Sequence, residues 1–462
     1  MSAVLIPLTL FVRPLTTSFL STAVSLPFFV LLVYVLGTVG VERNDLYRPQ
    51  LSKKVIAFVL LGIAIQMLAI LASFGRYGNS PQDAGLAHGL IDLFALFITG
   101  ILAYYATFFA VRSVSDIRKF ECAVIVAFLA YSVIVLIPQI FASMSPLGHR
   151  WVDLLASVFE RRWPGRDWYT KGSYATTMHR VNGFEAEAGY LAALIGCVFV
   201  PPVIAAIHNH YDYFSNTFKT KRRVPYFLVL GLMIVVLFFA KTTTGFLVIA
   251  LIFFLLFFNS DRSDKRKYYL AGICLVFLIA LSYIFIPQIR GMLNTYLFQK
   301  GGTDNRLGGT LGLLLTFVHH PIIGVGNEWT GSYIMQYAPA ATKTNYEFLT
   351  VYAKKAYPIL SVWGGWLAQF GLVLVVPVII YVYRKLKRAL SLEKRLVNST
   401  LKNRELFLTI LDSFQIFLVM YFVLSILIFS WNEYYMLISF FFYTIALDII
   451  DNELNKGELN EY

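Results

Sequence analysis

Residues 225–259 read PYFLVLGLMIVVLFFAKTTTGFLVIALIFFLLFFN, with Lys241 the single charge in them. An apolar run lies on each side of a polar turn at 241–244. Neither run alternates apolar with polar residues as the strands of a membrane barrel do. A bilayer core leaves unpaired backbone N–H and C=O groups unsatisfied, so apolar runs of this kind must close their hydrogen bonds internally, as helices. The stretch is therefore a helical hairpin through a membrane, and the pattern recurs along the chain. Spans are expected near 17–40, 55–74, 88–111, 121–142, 187–207, 225–240, 243–259, 269–287, 363–383, 405–430 and 433–450. The sequence predicts an all-α, polytopic transmembrane helix bundle of about eleven spans. Twelve are reached if residues 1–40 hold a short segment before a full span. Residues 1–462 form one integral membrane domain in this reading.

Composition agrees: 58% of the 462 residues are hydrophobic and 14% are charged, against about 25% charged in soluble domains. The net charge of +13 would suit nucleic acid if it were spread over a soluble surface. Instead the cations gather between the apolar runs, which excludes nucleic acid as the expected partner and makes the lipid bilayer one. Arg43, Arg48, Lys53 and Lys54 form one cluster, Arg112, Arg118 and Lys119 another. Lys219, Lys221, Arg222 and Arg223 follow, then Arg262, Lys265, Arg266 and Lys267. A basic loop at about 384–404 holds eight Lys/Arg. These segments share one side by alternation, and the positive-inside rule makes that side cytoplasmic, with the C-terminus there too. Cys122, Cys197 and Cys274 sit inside apolar runs without C-x-x-C spacing and read as small core residues. Arg13-Pro14 interrupts the first apolar run and no basic region precedes it, so the start does not read as a cleavable signal.

Two long segments, about 143–186 and 288–362, fall on the opposite, external side. They are rich in Trp, Tyr, Gly and Arg rather than in the polar residues of disordered tracts, which predicts an ordered site. The first ends in His179-Arg180-Val-Asn182-Gly183-Phe-Glu185-Ala-Glu187. Asn182 or Gly183 is placed to cap the next helix, with Glu185 and Glu187 in its first turn, where negative charge suits the helix dipole. The same residues fit an anion clamp, Arg180, beside a carboxylate base. Arg180 fits a snorkelling cation as well. The second segment carries Thr303-Asp304-Asn305-Arg306-Leu-Gly-Gly, an apolar run, then His319-His320-Pro321-Ile-Ile-Gly324-Val-Gly326. Leu307, Leu311, Leu314, Leu315 and Val318 recur at helical spacing, Asp304 or Asn305 starts the helix, and Pro321 stops it. Its N-terminus with Arg306 suits phosphate; a surface charge on a capped helix is the plainer reading of Arg306. His319 and His320 suit the helix C-terminus equally. No D-x-D pair, Walker A loop, H-E-x-x-H or cysteine–histidine metal spacing is present. No metal or cofactor is therefore expected. Asp83 and Asp92 are weak single-carboxylate signals.

The two constellations, in this order and on one side of a many-helix protein, resemble the O-antigen polymerase and O-antigen ligase superfamily. The elements that carry the resemblance are Arg180 to Glu187, Arg306 to Gly326, the polar turn Lys241-Thr-Thr-Thr-Gly245, and Ser361-Val-Trp-Gly-Gly-Trp-Leu-Ala-Gln-Phe-Gly371. The likeness in arrangement covers roughly 120–380. It implies a C-type glycosyltransferase-like bundle with two large periplasmic loops, in the bacterial inner membrane. The implied activity is transfer of undecaprenyl-diphosphate-linked oligosaccharides, with a chain-length regulator protein as a further partner. The ligase branch carries a His-Asn pair before the last long return helix. Here Thr344-Asn345 stands in that region, which favours a polymerase and weakens the case for a loop histidine as general base.

The chemistry that this implies needs cations for the departing diphosphate and a base for the attacking hydroxyl. Arg180 and Arg306 are expected to hold the diphosphate, helped by Arg290 or Arg166, with His319, Gly324, Gly326 and Asn345 in substrate binding. The expected base is Glu187, then Glu185, then His320. Trp163, Trp168, Tyr169 and Trp329 suit sugar stacking or a membrane interface. Three rival functions remain open: O-antigen ligase-type transfer to another acceptor, a lipid-linked glycan flippase, and a transferase using a lipid monophosphate with Asp83 as base.

Overall fold

The computed structural model describes residues 53–79, 85–163, 166–214, 223–258, 262–294, 303–353, 356–428 and 433–460. The expected span 17–40 and Asp83 lie outside them. Among the described residues every regular element is helical. In chain order these are α1 (Lys53–Tyr77), α2 (Leu86–Ala110), α3 (Val114–Met144), α4 (His149–Phe159), α5 (Tyr174–Met178) and α6 (Ala188–His208). Next come α7 (Arg223–Phe239), α8 (Thr243–Phe258), α9 (Arg262–Phe285), α10 (Pro287–Leu293), α11 (Thr303–His319) and α12 (Thr330–Tyr337). The chain closes with α13 (Val362–Val397), α14 (Arg404–Leu424) and α15 (Tyr434–Asn460).

Seven of these, α1, α2, α3, α6, α13, α14 and most of α15, are long and apolar enough to cross a membrane. The apolar α7 and α8 are shorter, and α9 covers the expected segment 269–287 as far as Phe285. The chain is a multi-pass helical membrane protein. At its centre runs α6, with 94% of its apolar window buried inside the protein, against 22% for α1 and α2. Around it α3, α7, α8, α14 and α15 supply one continuous apolar core. The outward faces of α1 and α2 keep Leu60, Leu61, Leu68, Ile91 and Phe94 exposed, as suits lipid.

Two helices carry a wide turn in which the N–H bonds five residues back. Ile137 donates to Ser132 in α3, and Val200 to Ile195 in α6. Each such turn absorbs one extra residue and rotates the remainder of its helix around the axis. In α13, Gly371 stands at φ 64° and ψ 179°, a break that permits two helical halves. The chain after α11 uses it. Val325 and Gly326 donate to the carbonyls of Ala368 and Gln369, while Leu372 and Val373 donate to Pro321 and Ile322. A Cβ on Gly371 would collide with the Ile322 oxygen, and one on Gly324 would collide with the Gln369 oxygen.

The expected cytoplasmic loop 384–404 is helical as far as Val397, as the continuation of α13. Arg388 and Arg395 there pair with Asp448 and Asp451 of α15, so two helices rather than a loop present the basic surface.

Candidate functional site

The first long segment is held by side chains of α3. The Gln139 amide donates to Gly183 O (2.7 Å) and its oxygen accepts from Asn182 N (3.2 Å) and Gly183 N (2.7 Å). Tyr131 Oη accepts from Phe184 N at 2.7 Å. These bonds keep residues 182–184 out of a helix while leaving little of their backbone unpaired, which irregular chain inside a membrane protein requires. Gly183, at φ 62°, could not carry a Cβ, which would collide with Tyr131 Oη. The expected cap at Asn182 or Gly183 is therefore corrected. α6 begins at Ala188 with Glu187 as the residue before it, and Glu185 lies buried ahead of the helix.

Asn182 instead donates to Glu160 Oε1 at 3.0 Å, as does Tyr174 N. Glu160 is buried, and Arg162 Nε stands 3.4 Å from its second oxygen. Burial pushes this carboxyl up to about 7, against the opposing effect of the bonds from Asn182 and Tyr174 and of the Arg162 charge. Arg180 reaches the Ala240 carbonyl at 3.3 Å and lies 5.8 Å from the Tyr174 ring centre. Lys241, in the turn after α7, donates to His179 O at 2.7 Å. Its pKa is lowered by burial and by the Arg180 charge. Glu187 lies close enough to Tyr169 and Tyr174 to act on both electrostatically. Arg180 and Glu187 thus gather around the Tyr169–Tyr174 pair, with Lys241 beside Arg180.

The second segment builds a polar cluster at the start of α11. Asn305 donates to Asn345 Oδ1 (3.0 Å) and Glu347 Oε2 (2.9 Å), and Asn345 donates back at 2.6 Å. Tyr357 donates to the Asn305 carbonyl and Tyr352 to Glu347, both at 2.7 Å. Next to this cluster, Arg306 Nη1 donates to Leu427 O at 3.0 Å, past the end of α14. Gly308 and Gly309 let Thr342 and Tyr357 approach within the space of a Cβ.

The two segments meet. Arg166 lies beside the Tyr352 hydroxyl, close enough for its charge to act on it. Arg161 pairs with Glu433 at 3.0 Å, where α15 begins, while Arg306 holds the far side of the same α14–α15 connection. Arg161 lies over Trp163 and Arg166 over Trp168, at 4.9 and 4.7 Å from the ring centres. These two rings therefore already face guanidinium groups.

Other expected site residues fall elsewhere. His319 and His320 end α11, about 20 Å along the helix from Arg306 at 1.5 Å per residue. His319 bonds Leu315 O and stacks on Tyr337, and His320 stands edge-on to Tyr333. Burial, with Arg76 and His319 nearby, lowers the His320 pKa. That separation keeps His320 away from Arg306. Gly324 and Gly326 are packed against α13 and α1 backbone. Trp329 is fully buried and donates to Gly78 O, so it offers no face to a sugar. Arg290 lies exposed on α10.

Sequence reasoning missed Glu160, Arg161, Glu433 and Tyr174. The run Glu160-Arg161-Arg162-Trp163 just past an amphipathic stretch reads locally as a solvated charge cluster, which hid them. It also missed a cluster of His88, Asp92 and Glu328, for which the spacing of His88 and Asp92 was half of a signal. No family model matches the chain, and no curated protein matches it in sequence.

Proposed function

We propose that the protein is a bacterial inner-membrane glycosyltransferase that polymerises oligosaccharide repeat units carried on undecaprenyl diphosphate, acting at the external face. One observation carries this reading. The segments bearing Arg180 and Arg306 meet at Arg166 and Tyr352, and both are fastened to one helix connection. Cations from distant parts of the chain thereby share one end of the bundle, as a diphosphate-binding face needs.

In the proposed step a sugar hydroxyl of one lipid-linked chain attacks the anomeric carbon of another. The new glycosidic C–O bond forms as the bond to diphosphate breaks, and diphosphate leaves on its lipid. Arg180 and Arg306 meet the charge that develops on it, with Lys241 adding a third cation beside Arg180. The hydroxyl proton passes to Glu187, the less buried of the two glutamates before α6. Glu160 holds Asn182 and Tyr174 in place beneath. Asn345, bonded to Asn305, positions the start of α11.

The test is the chain-length ladder of a surface glycan in cells that depend on this protein. Arg180→Ala and Arg306→Ala should each lower transfer by about 10²–10³, the loss typical of one well-placed donor. Arg→Lys should impair as well, since Lys cannot bind two oxygens side by side. Full-length ladders from both alanine variants at normal protein level would end the proposal.

A flippase for the same lipid is the second reading. It draws on Glu121 of α3, a carboxyl buried inside the bundle beside Ser413 and Tyr443. Deletion separates the two: single repeats remain on the cell surface without a polymerase, and none without a flippase.

A further inference from the structure

His88 and Asp92 stand one turn apart on α2, with His88 Nε2 3.3 Å from Asp92 Oδ2. Glu328 arrives from the turn after α11, and one ligand atom from each of the three lies within 4.8 Å of the others. The approach is built into the packing. The Trp329 ring rests where a Cβ on Gly89 would lie, only 2.5 Å from it, and its Nε1 donates to Gly78 O at 3.0 Å. Docking that ring on α2 delivers Glu328 to the His88–Asp92 pair, with the Glu328 backbone at φ 70°, a region costly for a residue with a side chain.

We propose that His88, Asp92 and Glu328 form a divalent-cation site, of the class that Zn²⁺ or Mn²⁺ occupies, which clips the turn after α11 to the start of α2. The donor set selects the class. One imidazole nitrogen and two carboxylates suit a first-row transition ion, whereas Ca²⁺ asks for six to eight oxygens. Bonds of about 2.0–2.2 Å would place the donors roughly 3.5 Å apart, so the widest pair must close by about 1 Å, within reach of side-chain rotation. The His88 side chain is 59% exposed, which gives an ion a way in and leaves a coordination position to water. Glu328 and Asp92 bring two carboxylates together, a repulsion that a bound cation would relieve. The clip would hold the segment whose backbone pairs with the break in α13. It is independent of the glycosyl-transfer reading, since it lies toward the opposite end of α11 from Arg306.

The full chain, purified in detergent with any affinity tag removed and stripped with chelator, is titrated with Zn²⁺ alone and with Mn²⁺ alone. Bound metal is counted by elemental analysis and thermal unfolding is followed. The wild type should retain one ion per chain and unfold at higher temperature with metal than without. His88→Ala, Asp92→Asn and Glu328→Gln should each weaken binding by more than the roughly 10–100-fold lost with an outer-shell partner, and should abolish the thermal shift. His88 is exposed, so its variant should fold even if a carboxylate variant does not. A wild type that keeps no stoichiometric metal, or a His88→Ala chain that binds and shifts like the wild type, overturns the site.

Discussion

Burial moves the Glu160 carboxyl from its ordinary 4.5 up to about 7, and that displacement links folding to pH. Between those values the folded chain keeps a proton that the unfolded chain has released, so stability falls as pH rises through the window. The melting temperature in detergent should decline from about pH 5 to about pH 7.5, and Glu160→Gln should flatten the slope. A variant with the wild-type slope would assign the pH dependence to other groups. Arg180 and Arg306 could be read from sequence because a guanidinium beside an apolar run is costly and so conspicuous. Glu160 could not, because Arg161 and Arg162 next to it make the run look solvated. It is buried by the folding of Tyr174 and Asn182 over it, which no local pattern records. Gly324 and Gly326 were legible as unusual positions, but their reason, backbone pressed against backbone, exists only in three dimensions.

Among elements, the helix positions were the most legible part, since the cost of unpaired backbone in lipid fixes them strongly. Departures occur where side chains of another element capture the backbone. Gln139 and Tyr131 hold residues 182–184 and delay α6 to Ala188. Inside α13, Gly371 is one glycine in an apolar run, and nothing local marks the break. Gly371→Ala should cost at least the 1–3 kcal/mol typical of a forced backbone conformation, with more from the collision with Ile322. Thermal unfolding and protease cleavage within 320–328 should both report it. Equal stability of the variant would mean that the break is not needed for the pairing with 321–326.

At the scale of the whole molecule, charge asymmetry predicts sidedness, and the proposed chemistry depends on it. On a background lacking Cys122, Cys197 and Cys274, Ser157→Cys in α4 should react with a membrane-impermeant maleimide in intact spheroplasts. Ser391→Cys in the basic half of α13 should react only after permeabilisation. The reverse pattern would place Arg180 and Arg306 in the cytoplasm and remove the basis for an external polymerase. The many-helix architecture followed from the apolar runs, whereas the meeting of the two long segments did not. The approach of Arg166 to Tyr352 joins positions with no shared periodicity or spacing, and only the fold makes them neighbours.

The wide turn at 132–136 sets an angular phase. Tyr131 and Gln139 are eight residues apart, which in a regular α-helix points them about 80° from each other. Absorbing one residue brings them to within about 20°, so both can face residues 182–184. Inserting one alanine after the lipid-facing Val133 adds a residue that the turn does not absorb and should swing one anchor off by about 100°. A change at the oily surface would then silence the proposed glycan assembly in a protein that still inserts, whereas unchanged output would show the twist to be incidental.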